Sequence, residues 1–105
     1  MNWIALIAAG FFEIGWPLGL KMAQQTDNNK LSWIIVAIVS MSISGLLLFY
    51  AQKSIPIGTA YAVWTGLGAV GTLLVGIFFF NDSASTLRLL SALLIVFGII
   101  GLKVF

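Results

Sequence analysis

The chain has 105 residues, of which 61% are hydrophobic and only 8% are charged, and its formal net charge is +2. A soluble domain carries about 25% charged residues, so this composition indicates a membrane protein, and its few scattered basic residues exclude nucleic-acid binding. The sequence contains neither cysteine nor histidine, which excludes disulfides, thiolate nucleophiles and histidine-based catalysis, and we expect no metal and no cofactor.

Four long apolar segments alternate with short polar breaks. A membrane-spanning helix needs about 20 mostly apolar residues, and the segments at about 3–20, 31–51, 59–80 and 86–105 meet that length. We therefore predict an all-α membrane protein with four transmembrane helices in one domain, residues 1–105. Serine and aspartate in the break at 81–85 are typical of a helix N-cap before the fourth span.

The first segment contains the most informative residue, Glu13. The chain has three acidic residues, and the other two, Asp27 and Asp82, lie in polar breaks. An acid at the centre of a membrane helix costs about 2.5 kcal/mol or more, and such residues are usually functional. We predict that Glu13 binds a proton or a cation in a cavity. A neutral, hydrogen-bonded structural glutamate is the alternative.

Because Glu13 interrupts this segment and no basic region precedes it, we do not expect a cleaved signal peptide.

Gly10 and Trp16 share the helix face of Glu13 by i, i+3 spacing. Gly10 leaves space beside the carboxylate, and the indole N–H of Trp16 can donate to it; packing or interfacial anchoring is the alternative for Trp16. Pro17 cannot donate to the carbonyl of Glu13, which predicts a bend and a second free acceptor at this point. A bent helix that serves only packing is equally compatible with Pro17.

The second segment carries three closely spaced hydroxyls, Ser40, Ser42 and Ser44. Ser40 and Ser44 share one helix face, and Ser42 points elsewhere. Serine hydroxyls in membrane helices often bond to their own backbone, so each alone is a weak signal.

The third segment carries a stripe of polar and aromatic residues at helical spacing. The stripe consists of Tyr61, Trp64, Thr65, Gly68 and Thr72. The two aromatic rings offer π faces to a cation, and their polar tips can reach a carboxylate. Gly66 and Gly68 predict a helix that bends during gating, although close helix packing by small residues is the alternative.

The fourth segment lacks a polar stripe and offers small residues at Ser91, Gly98 and Gly101. Four short spans enclose little space, so an oligomer is the simplest way to form a cavity. We predict that these three residues form a dimer contact; a lipid-facing surface is the alternative.

Basic residues are nearly balanced between the two sides of the membrane. Lys53 and Lys103 fall on one side, and Lys21, Lys30 and Arg88 on the other. Since basic residues in short loops set orientation, this small difference predicts insertion in both orientations and an antiparallel dimer. A single fixed orientation is the alternative.

Several stretches resemble the small multidrug resistance family over the whole chain. They lie at 10–16 (GFFEIGW), 19–21 (GLK), 56–68 (PIGTAYAVWTGLG) and 98–103 (GIIGLK). Trp16 after Glu13, and Thr59 before Ala60 and Tyr61, resemble the guanidinium-exporting subtype.

This resemblance implies a dual-topology homodimer in the bacterial inner membrane that exchanges protons for a small organic cation. It assigns the shared proton and substrate site to Glu13, and it implies that Trp16, Ser42, Tyr61 and Trp64 line the pocket. Gly15 and Pro17 depart from the subtype pattern.

These departures leave three alternatives open: substituted guanidiniums as substrates, quaternary ammonium or multidrug cations as substrates, and pairing with a paralogue as a heterodimer. A proton-conducting subunit of a larger complex and a passive cation channel are rival classes. None of these classes is an enzyme.

Overall fold

The computed structural model describes residues 2–105 as four long helices joined by short connections. The helices are α1 (Asn2–Gln25), α2 (Lys30–Ala51), α3 (Ile57–Phe79) and α4 (Thr86–Val104). Each is long and apolar enough to cross a membrane, which confirms the predicted all-α membrane architecture. Met1, which belongs to the predicted domain, lies outside the described residues.

The helices begin and end within two residues of the predicted spans except at the end of the first. α1 continues to Gln25, five residues beyond the predicted end at residue 20. The prediction counted apolar residues, whereas Lys21, Gln24 and Gln25 are good helix formers that extend the helix beyond the apolar part.

The break between α3 and α4 has a defined conformation. Asn81 adopts the left-handed region with φ 57°, which asparagine tolerates better than most residues. The N–H groups of Phe80 and Asp82 both donate to the carbonyl of Gly76, at 3.0 Å each. Ser85 then caps α4, since its hydroxyl accepts the N–H of Arg88 at 3.3 Å, as the serine and aspartate content of this break predicts.

α1 is the central helix, because it packs against both α2 and α3, whereas α4 packs against α3. Small residues bring α1 close to α2. A Cβ atom at Gly19 would lie 2.9 Å from the carbonyl oxygen of Trp33 and 3.0 Å from the backbone nitrogen of Ala37. Close backbone approach of this kind drives helix association in lipid, where apolar side chains gain little from leaving the bilayer.

A small apolar core lies between α1, the α2–α3 connection and α3. Its buried members are Leu6, Ala51, Ile55, Ala60 and Val63. Beside it, the Asn2 amide donates to the Ser54 hydroxyl. This core fixes the start of α3 against α1, and therefore sets how the two helices face each other farther along the bundle.

α4 lies at the edge of the protomer and is largely uncovered. Ala92 is its one buried residue, and Leu87 is 77% exposed. A Cβ atom at Gly98 would meet nothing within 4 Å, and the Ser91 hydroxyl bonds back to the Leu87 carbonyl at 2.8 Å. Gly101 approaches only Phe105 of its own chain end, at 4.0 Å, among the residues described. The predicted contact surface is thus free within one protomer, and its use in a dimer stays a prediction.

The packing of α1 on α2 predicts opposite outcomes for two helical glycines. Gly19→Ala places a methyl group against backbone atoms that cannot move away, and overpacking of this kind costs about 1–3 kcal/mol. Gly45→Ala is the matched control, because a Cβ atom there meets nothing within 4 Å. We expect Gly19→Ala alone to lower the temperature at which the detergent-solubilised protein aggregates. Equal transition temperatures for both variants would contradict this packing.

Candidate functional site

A groove between α1 and α3 contains Glu13, which is the only acidic residue within a helix among residues 2–105. Its volume is about 340 Å³, and it is open on one side. The lining residues come from one face of each helix: Glu13, Trp16, Pro17, Thr65, Gly68, Ala69 and Thr72. The polar stripe predicted on the third helix therefore lies opposite Glu13 through Thr65, Gly68 and Thr72.

Trp16 holds one oxygen of the Glu13 carboxylate. Its indole Nε1–H donates to Oε1 at 2.6 Å, the geometry that the i, i+3 spacing predicts. Because indole is a donor only, this hydrogen bond orients the carboxylate and occupies part of one oxygen. The second oxygen has no side-chain donor in the described part of the chain.

Gly68 allows the Glu13 side chain to lie directly on the backbone of α3. A Cβ atom at position 68 would lie 2.5 Å from Cγ and 3.1 Å from Cβ of Glu13. Any larger residue would therefore displace the carboxylate. Gly66 instead faces α4, where a Cβ atom would lie 2.9 Å from Cδ1 of Ile99. α3 runs without interruption through both glycines, so the predicted bending is a prediction about motion that this conformation does not include.

Pro17 lines the groove one turn beyond the carboxylate. α1 stays helical through it, and its missing N–H leaves the Glu13 carbonyl without the usual partner in the helix. Free backbone acceptors in a membrane are tolerated where they line a cavity. A ligand with several N–H donors would find both a carboxylate and a carbonyl at this position.

Tyr61 and Trp64, near the start of α3, form an aromatic pair. The ring centroids of Tyr61 and Trp64 are 5.5 Å apart, with 56° between the planes. Tyr61 is 56% exposed, so its ring is accessible from outside the helix bundle. Neither ring is among the residues that line the groove around Glu13 within one protomer.

Ser44 connects this aromatic pair to α1. The indole N–H of Trp64 donates to the Ser44 hydroxyl at 2.8 Å, and that hydroxyl donates to the Ala9 carbonyl at 2.7 Å. Ser44 is completely buried. The indole N–H of Trp64 therefore donates to a serine of α2 and not, as its sequence position had suggested, to a carboxylate.

Ser42 does not join this arrangement. It is exposed, and its hydroxyl bonds back to the Ile38 carbonyl at 2.9 Å. The serine that contacts the aromatic residues is Ser44, two residues later, which sequence analysis had not selected. One sequence signal pointed to Ser44, which shares a helix face with Ser40. In the structure, Ser40 packs against Gly15 of α1.

Gly10 also lies outside the groove. A Cβ atom there would lie 2.6 Å from Cβ of Leu67, and Gly10 lines a separate apolar cavity of about 190 Å³ with Ile14, Leu67 and Gly71 among others. Its small size serves the close approach of α1 and α3, which in turn brings Glu13 onto Gly68. Within residues 2–105, no group of three acidic side chains could hold a metal ion.

The two serines of α2 give a direct test of this geometry. Ser44→Ala removes the partner of a partly buried indole N–H, and leaving such a donor unsatisfied costs about 1–3 kcal/mol. Ser42→Ala removes a hydroxyl that only bonds to its own helix. We expect Ser44→Ala to lower thermal stability and to shift the tryptophan emission spectrum, with Ser42→Ala unchanged. The reverse order of effects would mean that Ser42 is the serine beside the aromatic pair.

Known proteins resemble this chain along nearly its entire length. The family model described as Small Multidrug Resistance protein matches residues 1–95. The guanidinium exporter of Proteus vulgaris is 52% identical over 103 residues, covering 98% of this chain and 97% of that protein. The guanidinium exporters of Salmonella typhimurium and Escherichia coli (strain K12) are 50% and 48% identical, each covering 98% of this chain and 96% of the relative.

The family match covers most of the chain, and the sequence identity to the relatives is far above the level at which a shared fold is doubtful. Together with four helices long enough to span a membrane, these matches place the protein among multi-pass transporters of the bacterial inner membrane, which are not enzymes. The chain belongs to the Small Multidrug Resistance family.

Proposed function

We propose that this protein is a proton-coupled antiporter that exports small cations, with guanidinium or substituted guanidiniums as substrates. One observation carries the proposal: Glu13, the only acid within the four described helices, lines an open groove in the membrane-spanning part of the bundle. The names of relatives that are 48–52% identical, all guanidinium exporters, support the substrate class.

The donor and acceptor pattern of the groove suits a guanidinium ion. A planar guanidinium presents N–H donors in a fixed arrangement that matches a carboxylate. Trp16 holds Oε1 of Glu13 and leaves the second oxygen for a ligand. The Glu13 carbonyl freed by Pro17 is a further acceptor. Thr65 lines the opposite wall, and its hydroxyl donates to the Tyr61 carbonyl of its own helix at 2.7 Å.

Exchange follows from competition at one carboxylate. Glu13 can hold a proton or pair with a cation, but it cannot do both at once. If only the proton-loaded and cation-loaded forms change sides, an inward proton gradient drives the cation outward. A tenfold proton gradient corresponds to about 1.4 kcal/mol per proton, which supports a tenfold cation gradient at equal stoichiometry.

An antiparallel homodimer would complete the site. In one protomer the groove is open, Tyr61 is more than half exposed and α4 is largely uncovered. A second copy in the opposite orientation would bring two Glu13 carboxylates into one cavity and the Tyr61–Trp64 pair of each subunit near it. α4 is suited to the contact, because Gly98 has no neighbour within 4 Å and small residues favour helix pairing in membranes.

Bulkier cations are the second candidate substrates. Pro17 lines the groove. The guanidinium-exporting subtype that the chain resembles usually has a smaller residue with a backbone N–H at this position. A bend of α1 at Pro17 that widens the groove would favour substituted guanidiniums or quaternary ammonium ions. Pairing with a paralogue would be a further route to a different substrate range.

Substitution of Glu13 tests the central claim. Glu13→Gln keeps the shape of the side chain but cannot ionise, so we expect gradient-driven guanidinium uptake into proteoliposomes to fall to the level of protein-free vesicles. Asp27→Asn, which removes an acid between α1 and α2, is the matched control and should transport normally. Both variants should insert and elute as the wild-type oligomer. Normal uphill uptake by Glu13→Gln would overturn the role of Glu13, and uptake without any proton gradient would indicate a channel.

The orientation of the chain in the membrane should respond to small changes in the number of basic residues. Two basic residues oppose three across the membrane, and basic residues flanking spans set orientation when loops are short. We expect two lysines added after Phe105 to shift the population towards the orientation with the C-terminus in the cytoplasm. Two added glutamines serve as the control. Reporter fusions that show one orientation for all three proteins would contradict dual topology.

A further inference from the structure

The groove that contains Glu13 continues to a second cavity at one end of the bundle. This outer cavity has a volume of about 270 Å³ and shares Pro17 and Thr72 with the groove. Lys21 of α1 and Asp82 of the α3–α4 connection also line it. We refer to these two adjoining cavities as the α1–α3 path, which has the Glu13 carboxylate in one cavity and the oppositely charged Lys21 and Asp82 in the other.

The backbone turns Asp82 back towards this path. Asn81 adopts a left-handed conformation with φ 57°, and the N–H of Asp82 donates to the Gly76 carbonyl at 3.0 Å. As a result, the Asp82 carboxylate lies over Gly76, where a Cβ atom on residue 76 would clash with its Oδ2. Asp82 remains exposed to water, but its direction is set by the end of α3.

Not every acidic residue of the chain lies beside this path. Of the three, Glu13 and Asp82 border the α1–α3 path, whereas Asp27 lies in the connection between α1 and α2. A cation that enters the path passes Lys21, whose charge repels it. A carboxylate on the opposite wall offsets that repulsion and raises the local concentration of cations.

We propose that Asp82 is an outer cation-binding station, at which a guanidinium-class monocation binds before it reaches Glu13 and after it leaves. A carboxylate accepts two parallel N–H donors from such an ion, and Thr72 lines both cavities. With the station empty, the opposite charges of Lys21 and Asp82 balance each other within the cavity that both residues line. The station rests on the proposed export of small cations, and it adds a residue that sets apparent affinity without taking part in proton exchange.

The test compares the KM and kcat of guanidinium uptake for Asp82→Asn and Asp27→Asn. Both variants lose one negative charge, and because consecutive spans alternate in direction, both positions lie on the same side of the membrane. We expect Asp82→Asn to raise KM about fivefold at low ionic strength, as for loss of one contact between unit charges in water, with kcat nearly unchanged. Asp27→Asn should leave KM at the wild-type value.

Two further measurements test the outer station: the salt dependence of KM, and the KM of a variant that lacks the positive charge of Lys21. The KM difference should shrink at 1 M salt, where the screening length is only about 3 Å. Lys21→Gln should lower KM, and it tests the station even if Asp82→Asn does not insert. Equal KM values for Asp82→Asn and Asp27→Asn, or an unchanged or higher KM for Lys21→Gln, would overturn the outer station. If wild-type protein shows no gradient-driven uptake, the proposed function fails instead, so the two failures are distinguishable.

Discussion

The contact between Glu13 and the backbone of α3 is the constraint around which the protomer is arranged. An acid within a membrane helix is expensive unless it faces a cavity or a partner. Here the helices provide both: Gly68 leaves space for the side chain, and Trp16 donates a hydrogen bond at 2.6 Å. Gly10 against Leu67 serves the same purpose indirectly, since it allows α1 and α3 to approach closely enough for Glu13 to reach Gly68.

A second polar connection holds the other side of α1. Buried polar groups in a membrane have no water to bind, so they must find partners inside the protein. Ser44 meets this requirement by accepting from Trp64 and donating to the Ala9 carbonyl. One hydroxyl thereby links three helices and fixes the rotation of α2 and α3 about their axes. The ring of Trp64 is held in place by this bond, which is useful if its face attracts a cation.

The protomer leaves part of its surface incompletely covered. α4 exposes a continuous apolar surface with a bare glycine at position 98, and the Glu13 groove is open on one side. Lipid can cover an apolar helix, but it cannot satisfy an open groove that contains a carboxylate. The proposed antiparallel dimer would cover both features.

The sequence by itself determined the number of spans, their type and the identity of the central carboxylate. These follow from hydropathy, segment length and the rarity of acids in apolar helices, which are properties of the chain alone. Helical spacing also placed Trp16 beside Glu13, because both residues lie on the same helix and one turn apart.

Only the tertiary structure decided which faces of different helices meet. Ser44 rather than Ser42 contacts Trp64, because the rotation of α2 is set by the packing of Gly15 and Gly19 against it. Gly10 and Gly66 proved to be contact points with Leu67 and Ile99, and Asp82 folds back over Gly76. Periodicity within one helix cannot predict such pairings, since they depend on how closely separate helices approach and on which backbone groups are left to accept a hydrogen bond.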